Sequence, residues 1–347
     1  DYKYVELKGL PSTFFEEHRR NFLKNLRSMF NELDNDSVII LQGGNEIPRY
    51  DNDTNDFHFQ QEANFYYLTG VLEPQCYAVI DLKNDSLMVY IQLSTSDIIR
   101  IFMHVPTIEE LKTKYNVNFS KAENLYSDLE ERNPNKIYVL NGVNTDSDLN
   151  IHTAVLKFPS NMTEWDKKID KNPLVYEILA ETRTRKTKQE IELLEFICKS
   201  TTDAHKQIMK NIKPNMLERD AENIFLNYMR NNHYARIWAY PSICGCAQDS
   251  ATLHYVKNDK MLKDGDLLLA DCGTRIGGYC SDITCTFPVN GKFTEKQKNI
   301  YNIVLEANRA VIKRLKEGIY WPDMHKLSEE IIIKGLINLG LIKSDFN

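Results

Sequence analysis

Two α/β domains in tandem are the architecture this sequence predicts, and three observations carry it. Over the first half, short apolar runs of strand character alternate with amphipathic helical stretches, the pattern of a sheet covered by helices. A polar joint rich in Arg and Lys, Arg183 to Lys188, then interrupts the apolar pattern. Beyond it, long helical repeats flank two short strands joined through a glycine-rich reversal. The expected domains are 1–182, a mixed-sheet α/β domain, and 183–347, an α+β domain.

Thr13 and Glu16 have capping-box spacing, and Phe22, Leu23, Leu26, Met29, Phe30 and Leu33 repeat behind them at helical intervals. Val38 to Leu41 reads as a buried strand closed by Gly43 and Gly44, and further strands are expected at 65–68 and 77–80. The latter forms a hairpin through 83–86 to a strand at 87–90. Helix 108–115, strand 137–140 and helix 174–182 continue the alternation. Asp51 with Asp53, and Asp146 with Asp148, sit in polar turn-forming segments and read as loops, because Asp and Asn accept local backbone hydrogen bonds there.

Past the joint, Thr187 and Glu190 form a second capping box, opening a helix with Ile191, Leu194, Ile197, Cys198, Thr201, His205 and Ile208 on its inner side. Pro214 stops it, a helix follows at 217–229, and 237–246 reads as a strand interrupted by Pro241. His205 has no partner at helical spacing and reads as a helix-face residue. Thr294 and Gln297 cap a long helix, and Asp323 starts the last one, with His325 solvated.

The chemistry concentrates between Lys263 and Phe287. Leu267, Leu268 and Leu269 form a buried strand ending at Asp271, and Gly273, Gly277 and Gly278 permit a tight reversal. From Tyr279 the period is two, so Asp282, Thr284 and Thr286 share one face and Tyr279, Ile283 and Phe287 the other. A hairpin sets Asp271 opposite or diagonal to Asp282, and two carboxylates that close repel unless a cation lies between them. Without a cation, Asp271 is a turn former at a strand end and Asp282 faces solvent.

With 347 residues the chain has length for two cores, and 42% hydrophobic and 27% charged residues are typical of globular proteins. A net charge of −6 with interspersed Lys and Arg argues against a nucleic-acid surface. No apolar run approaches a membrane span, and the seven cysteines lack the spacing of a disulfide framework or a zinc site, so a cytoplasmic protein with reduced thiols is expected.

The segment around Asp271 and Asp282 resembles the first metal-ligand pair of the prolidase (Xaa-Pro dipeptidase) group of pita-bread metallopeptidases. The similarity continues through Trp321, Pro322, Asp323, Met324 and His325, and upstream through Gln42, Gly43, Gly44, Arg49 and Tyr50, through Thr69 to Val71 with Glu73 and Pro74, and through 141–147. The resemblance implies that 1–182 is an aminopeptidase P/prolidase-type N-terminal domain without catalytic ligands. It implies that 183–347 is the first half of a pita-bread catalytic domain. Asp271 and Asp282 are then metal ligands, the first bidentate on one ion and the second bridging both ions, two divalent cations with Mn²⁺ favoured by oxygen-rich ligation. His254, Tyr240 and Ile243 correspond to the substrate pocket, where the His donates to the bound dipeptide. His254 on its own, a single His in a polar segment, reads as structural.

The activity implied is hydrolysis of Xaa-Pro dipeptides in a homodimer, with a metal-bridging hydroxide attacking the scissile carbonyl. The remaining His, two Glu and a carboxylate-holding Arg of that family are expected beyond Asn347. The alternative is a truncated pita-bread homologue that acts as a binding module, against which the retention of Asp271, Asp282 and Thr284 argues. Within the enzyme class, aminopeptidase P and creatinase are the other possibilities.

Overall fold

The computed structural model describes residues 2–47, 50, 58–93 and 104–343; Arg49, Asp51 and Asp53 lie outside the described residues. The chain divides into two compact units, the first comprising Asp1–Phe196 with Ile276–Tyr279, the second Ile197–Arg275 with Cys280–Asn347.

The first unit is built on a six-stranded sheet. Its strands are β1 (Val38–Gln42), β2 (Cys76–Asp81), β3 (Leu87–Ile91), β4 (Asn118–Lys121), β5 (Ile137–Val139) and β8 (Ile169–Asp170), in the order β4-β3-β2-β1-β5-β8. A minor hairpin of β6 (Val143–Asn144) and β7 (Leu149–Asn150) lies apart from it, its turn tied by Asn144 Oδ1, which accepts from the amides of Asp146 and Ser147. The large sheet is mixed, as expected: β1 runs antiparallel to β2 and parallel to β5. Alternation along β1 sends Ile39 and Leu41 into one apolar layer and Val38 and Ile40 into another, so both faces are covered.

After the single turn α1 (Val5–Lys8), helix α2 (Ser12–Met29) supplies Phe22, Leu23 and Leu26 to the first layer. Each such side chain contributes on the order of 2 kcal/mol by leaving water. Three sequence expectations need correction here. α2 begins at Ser12 behind Pro11, so Thr13 lies inside the helix and makes no cap, and Met29 is 52% exposed. The expected strand at 65–68 is instead α3 (Ala63–Thr69). Its aromatic, β-like composition is overridden by Glu62, whose carboxylate accepts from the amides of Asn64 and Phe65, and by Gly70, which closes the helix at φ 73°. Helices α4 (Ile108–Tyr115), α5 (Leu125–Arg132) and α6 (Leu174–Thr184) complete the cover.

Helix α7 (Lys188–Asn211) opens with the expected box: Thr187 N donates to Glu190 Oε2 at 2.6 Å, and Glu190 N to Thr187 Oγ1 at 3.2 Å. Its buried stripe is phased differently from the sequence reading: Leu193, Ile197, Ser200, Thr201, Ala204, His205 and Ile208 face inward, while Ile191 is 48% exposed and Cys198 is exposed. In the second unit, α8 (Glu218–His233) packs beside a three-stranded antiparallel sheet of β9 (Ile243–Cys246), β10 (Leu267–Cys272) and β13 (Ile283–Pro288), ordered β13-β10-β9. Between β10 and β13 lie β11 (Arg275–Ile276) and β12 (Tyr279–Cys280). Helices α9 (Glu295–Arg314) and α10 (Trp321–Asn338) follow, the former with the expected Thr294–Gln297 box. α10 starts at Trp321 rather than Asp323, because Pro322 suits a first turn whose N–H groups have no intrahelical partner.

Candidate metal centre

The two carboxylates owe their meeting to strand register. Asp271 on β10 is the direct antiparallel partner of Thr284 on β13 and of Ile243 on β9. Asp282 precedes Thr284 by two residues, so it stands diagonal to Asp271 on the same face, within reach of one small object. Along β10 the faces separate cleanly: Leu268, Ala270 and Cys272 are buried, whereas Leu267, Leu269 and Asp271 are half-buried.

Tyr240 completes the geometry. Residues 237–239 run along 273–275, with Ala239 N donating to Gly273 O at 3.1 Å and Arg275 N to Ile237 O at 3.2 Å. Pro241 has no N–H and separates this pairing from β9, so the strand expected at 237–246 divides into a bridge at Trp238 and β9 over Ile243–Cys246. The turn points the phenol of Tyr240 at both carboxylates: its oxygen lies 2.5 Å from Asp271 Oδ1 and 3.0 Å from Asp282 Oδ1. Burial and these two acceptors push the phenol's pKa well up, so the hydroxyl keeps its proton and donates it.

The residues between the acids are held just as tightly. Ser281 N donates to Thr274 O at 3.0 Å and Thr274 N to Ser281 Oγ at 3.1 Å, while Ser281 Oγ shares a hydrogen bond of 2.7 Å with Thr201 Oγ1. A Cβ on Gly273 would lie 2.1 Å from Ser281 O, so only glycine admits this approach. His205, as expected, is a buried helix-face residue: its Nε2 stands 3.1 Å from the carbonyl of Cys272.

Of the residues the sequence singled out, the structure therefore brings Tyr240, Ile243, Asp271 and Asp282 together. His254 lies exposed in the segment after β9. Among the described residues no group of three or more His, Cys, Asp or Glu side chains is arranged to hold a metal. Sequence reasoning missed Glu218, fully buried at the start of α8, and Asn258, 1% exposed. The only hint of either was an acidic residue in a first helical turn and an Asn in a polar loop, which many solvated residues share.

The chain thus has two α/β units, one with a mixed sheet and one with an antiparallel sheet that brings two carboxylates together. The pattern of metallopeptidase family M24 matches residues 192–346, and that of the aminopeptidase P N-terminal domain matches residues 15–138. The chain is 34% identical to the Xaa-Pro dipeptidase of Rattus norvegicus over 342 residues, which is 97% of this chain and 68% of that protein. It is 33% identical to the Xaa-Pro dipeptidase of Homo sapiens over 346 residues, with the same coverage. Among solved structures, proline aminopeptidase P II from Yersinia pestis superposes with a TM-score of 0.78 at 25% identity, covering 97% of this chain and 76% of the other. Zinc-substituted aminopeptidase P of E. coli in complex with product has the same fold, with a TM-score of 0.79 at 24% identity and the same coverage. The chain belongs to metallopeptidase family M24 and carries the aminopeptidase P N-terminal domain before it.

Membership implies divalent metal cofactors. Asp271 and Asp282 fit that implication, since both direct hard oxygen donors at one hydroxyl. No helix among the described residues is long and apolar enough to cross a membrane.

Proposed function

We propose that this chain is a prolidase, a metal-dependent hydrolase of Xaa-Pro dipeptides. The observation that carries the reading is the shared reach of Asp271 and Asp282 to the one Tyr240 hydroxyl, in a chain whose relatives over 97% of its length are Xaa-Pro dipeptidases. Asp271 and Asp282 would hold the metal, and their oxygen donors favour Mn²⁺. When bound, the metal supplies a lowered pKa for water and a counter-charge for the scissile carbonyl oxygen.

The protein's own groups do the rest. Tyr240 holds both carboxylates in register and keeps its proton. Ile243, beside Asp271 on the adjoining strand, offers an apolar wall for the proline ring, whose imide nitrogen has no hydrogen to recognise. His254 donates to the bound dipeptide from the segment after β9. Residues 1–182 act as the N-terminal domain and 183–347 as the first half of the catalytic domain, in a cytoplasmic homodimer; seven free cysteines agree with a reducing compartment.

The test is turnover of a Xaa-Pro dipeptide, a tripeptide with proline second, and creatine, each with and without Mn²⁺. Metal-dependent turnover of the dipeptide alone supports the reading. Preference for the tripeptide or for creatine moves the chain to another branch of the fold, and binding of metal or peptide without turnover makes it a binding module.

A further inference from the structure

Among the described residues β9 is an edge strand, and groups on its outer edge are met by side chains rather than by another strand. Asn258 Oδ1 accepts from Cys244 N at 2.9 Å, and Asn258 Nδ2 donates to Ser242 O at 2.8 Å, so one amide side chain imitates a paired strand. The carboxylate of Glu218 accepts from Cys246 N at 2.8 Å, the next outward amide along the same edge.

The same two residues fasten the segment between β9 and β10. Glu218 Oε2 accepts from the Tyr255 hydroxyl at 2.6 Å and from Lys260 N at 3.1 Å, and Asn258 Nδ2 also donates to Glu222 Oε2 at 3.1 Å. Glu218 N donates to Lys260 O at 2.9 Å, and Arg219 Nη2 to Lys257 O at 3.1 Å. Asn258 takes a left-handed backbone conformation, φ 48°, that Asn tolerates better than most residues. Glu218 and Asn258 are 0% and 1% exposed and Tyr255 is 7% exposed, whereas Leu253 on the other side of His254 is 84% exposed. His254 is thus an exposed side chain bonded directly to a buried residue that is hydrogen-bonded to the start of α8.

We propose that Tyr255, through Glu218, is a positioning residue: it fixes the backbone from which His254 reaches the substrate, while Asn258 and Glu218 hold β9, and with it Ile243, at the same register. The inference rests on the proposed role of His254. It adds that the first turn of α8, which contributes no group to the carboxylate pair, governs substrate binding. A loop bonded only to solvent would sample many positions for His254, and each would dilute the binding-competent one.

The experiment compares Tyr255→Phe, His254→Ala and the double variant of the whole chain, each loaded with Mn²⁺. Tyr255→Phe keeps the ring in place and removes only the hydroxyl. KM for a Xaa-Pro dipeptide is expected to rise roughly fivefold with kcat nearly unchanged. The double variant should be no worse than His254→Ala, because Tyr255 acts through His254. Amide exchange, measured on the same proteins, should quicken at Cys246 and Lys260 and stay unchanged in the first unit. Effects that multiply in the double variant, an unchanged KM in Tyr255→Phe, or exchange that quickens everywhere would each overturn the proposal. The exchange readout needs no turnover. An inactive wild-type chain, or an unaltered KM in His254→Ala, would defeat the proposed function or the role of His254, whereas unaltered exchange in Tyr255→Phe defeats the anchor itself.

Discussion

The hydroxyl of Tyr240 stands 2.5 Å from Oδ1 of Asp271, and the same oxygen is 3.0 Å from Oδ1 of Asp282. A phenol has one proton to give, so two carboxylates share a single donor and their repulsion is only partly relieved. Tyr240→Phe removes that donor. The metal-free protein is expected to lose about 1–3 kcal/mol, and added Mn²⁺ should recover most of it by taking over the role of the proton. Denaturant midpoints with and without the metal read this directly; an equal loss in both conditions would show that Tyr240 acts only as packing.

Asp282→Asn replaces a charged donor by a neutral amide of the same shape. Mn²⁺ affinity, measured calorimetrically, should fall by more than the roughly 10- to 100-fold that follows loss of a residue supporting a ligand, and dipeptide turnover should vanish. Asp271→Asn should behave alike. Near wild-type binding in either variant would remove that residue from the metal centre.

Gly273→Ala tests the hairpin. The new Cβ would meet Ser281 O at 2.1 Å and Tyr240 Cε1 at 2.8 Å, and a backbone atom cannot rotate away. The two chain segments must part, at a cost of about 3 kcal/mol, and the carboxylates part with them. Thermal midpoint and Mn²⁺ affinity should drop together. Loss of one without the other would mean that the approach at Gly273 does not set the spacing of the acids.

In the first unit, Glu190 is 1% exposed and accepts from the Tyr279 hydroxyl at 2.6 Å, with His18 Nε2 at 3.5 Å. Burial alone would raise its pKa, but the neighbouring His18, the Tyr279 hydroxyl and the Thr187 amide outweigh burial and hold it at about 2, against 4.5 for a free carboxyl. A depressed pKa means the stabilisation is fully present above about pH 4.5 and is lost as pH falls toward 2. It amounts to on the order of 3 kcal/mol. Glu190→Gln should lose stability near neutral pH and show a flatter decline in acid than the wild type. Parallel pH curves for the two proteins would mean that another group causes the acid lability.

Period and punctuation made much of this legible in advance. The alternation of β1 to β3, the capping boxes at Thr187 and Thr294, and the face shared by Asp282 and Thr284 follow from local rules that tertiary contacts reinforce. Where the local rule competed with a cap or a proline, it failed: 65–68 became helix because Glu62 and Gly70 frame it, and 237–246 split at Pro241. The inner stripe of α7 shifted because Leu193 rather than its neighbour Leu194 is fully buried, a phase that two adjacent aliphatics leave undecided. Glu218 and Asn258 were illegible, since their partners lie 28 and 14 residues away and are mostly backbone groups that any sequence possesses.

The parity of the strands in the second sheet also sorts ligand chemistry. Cys244 and Cys285 both oppose Ala270, and Cys272 follows Asp271, with Cys244 Sγ and Cys272 Sγ 3.9 Å apart on the covered side. Soft thiols therefore occupy one side of the sheet and hard carboxylates the other, within one residue of each other along β10. A thiophilic ion could not enlist Cys272 and Asp271 together unless a strand slipped by one position, which would carry the apolar set out into water. Discrimination against such ions is thus written into the pleat itself, before any further ligand is considered.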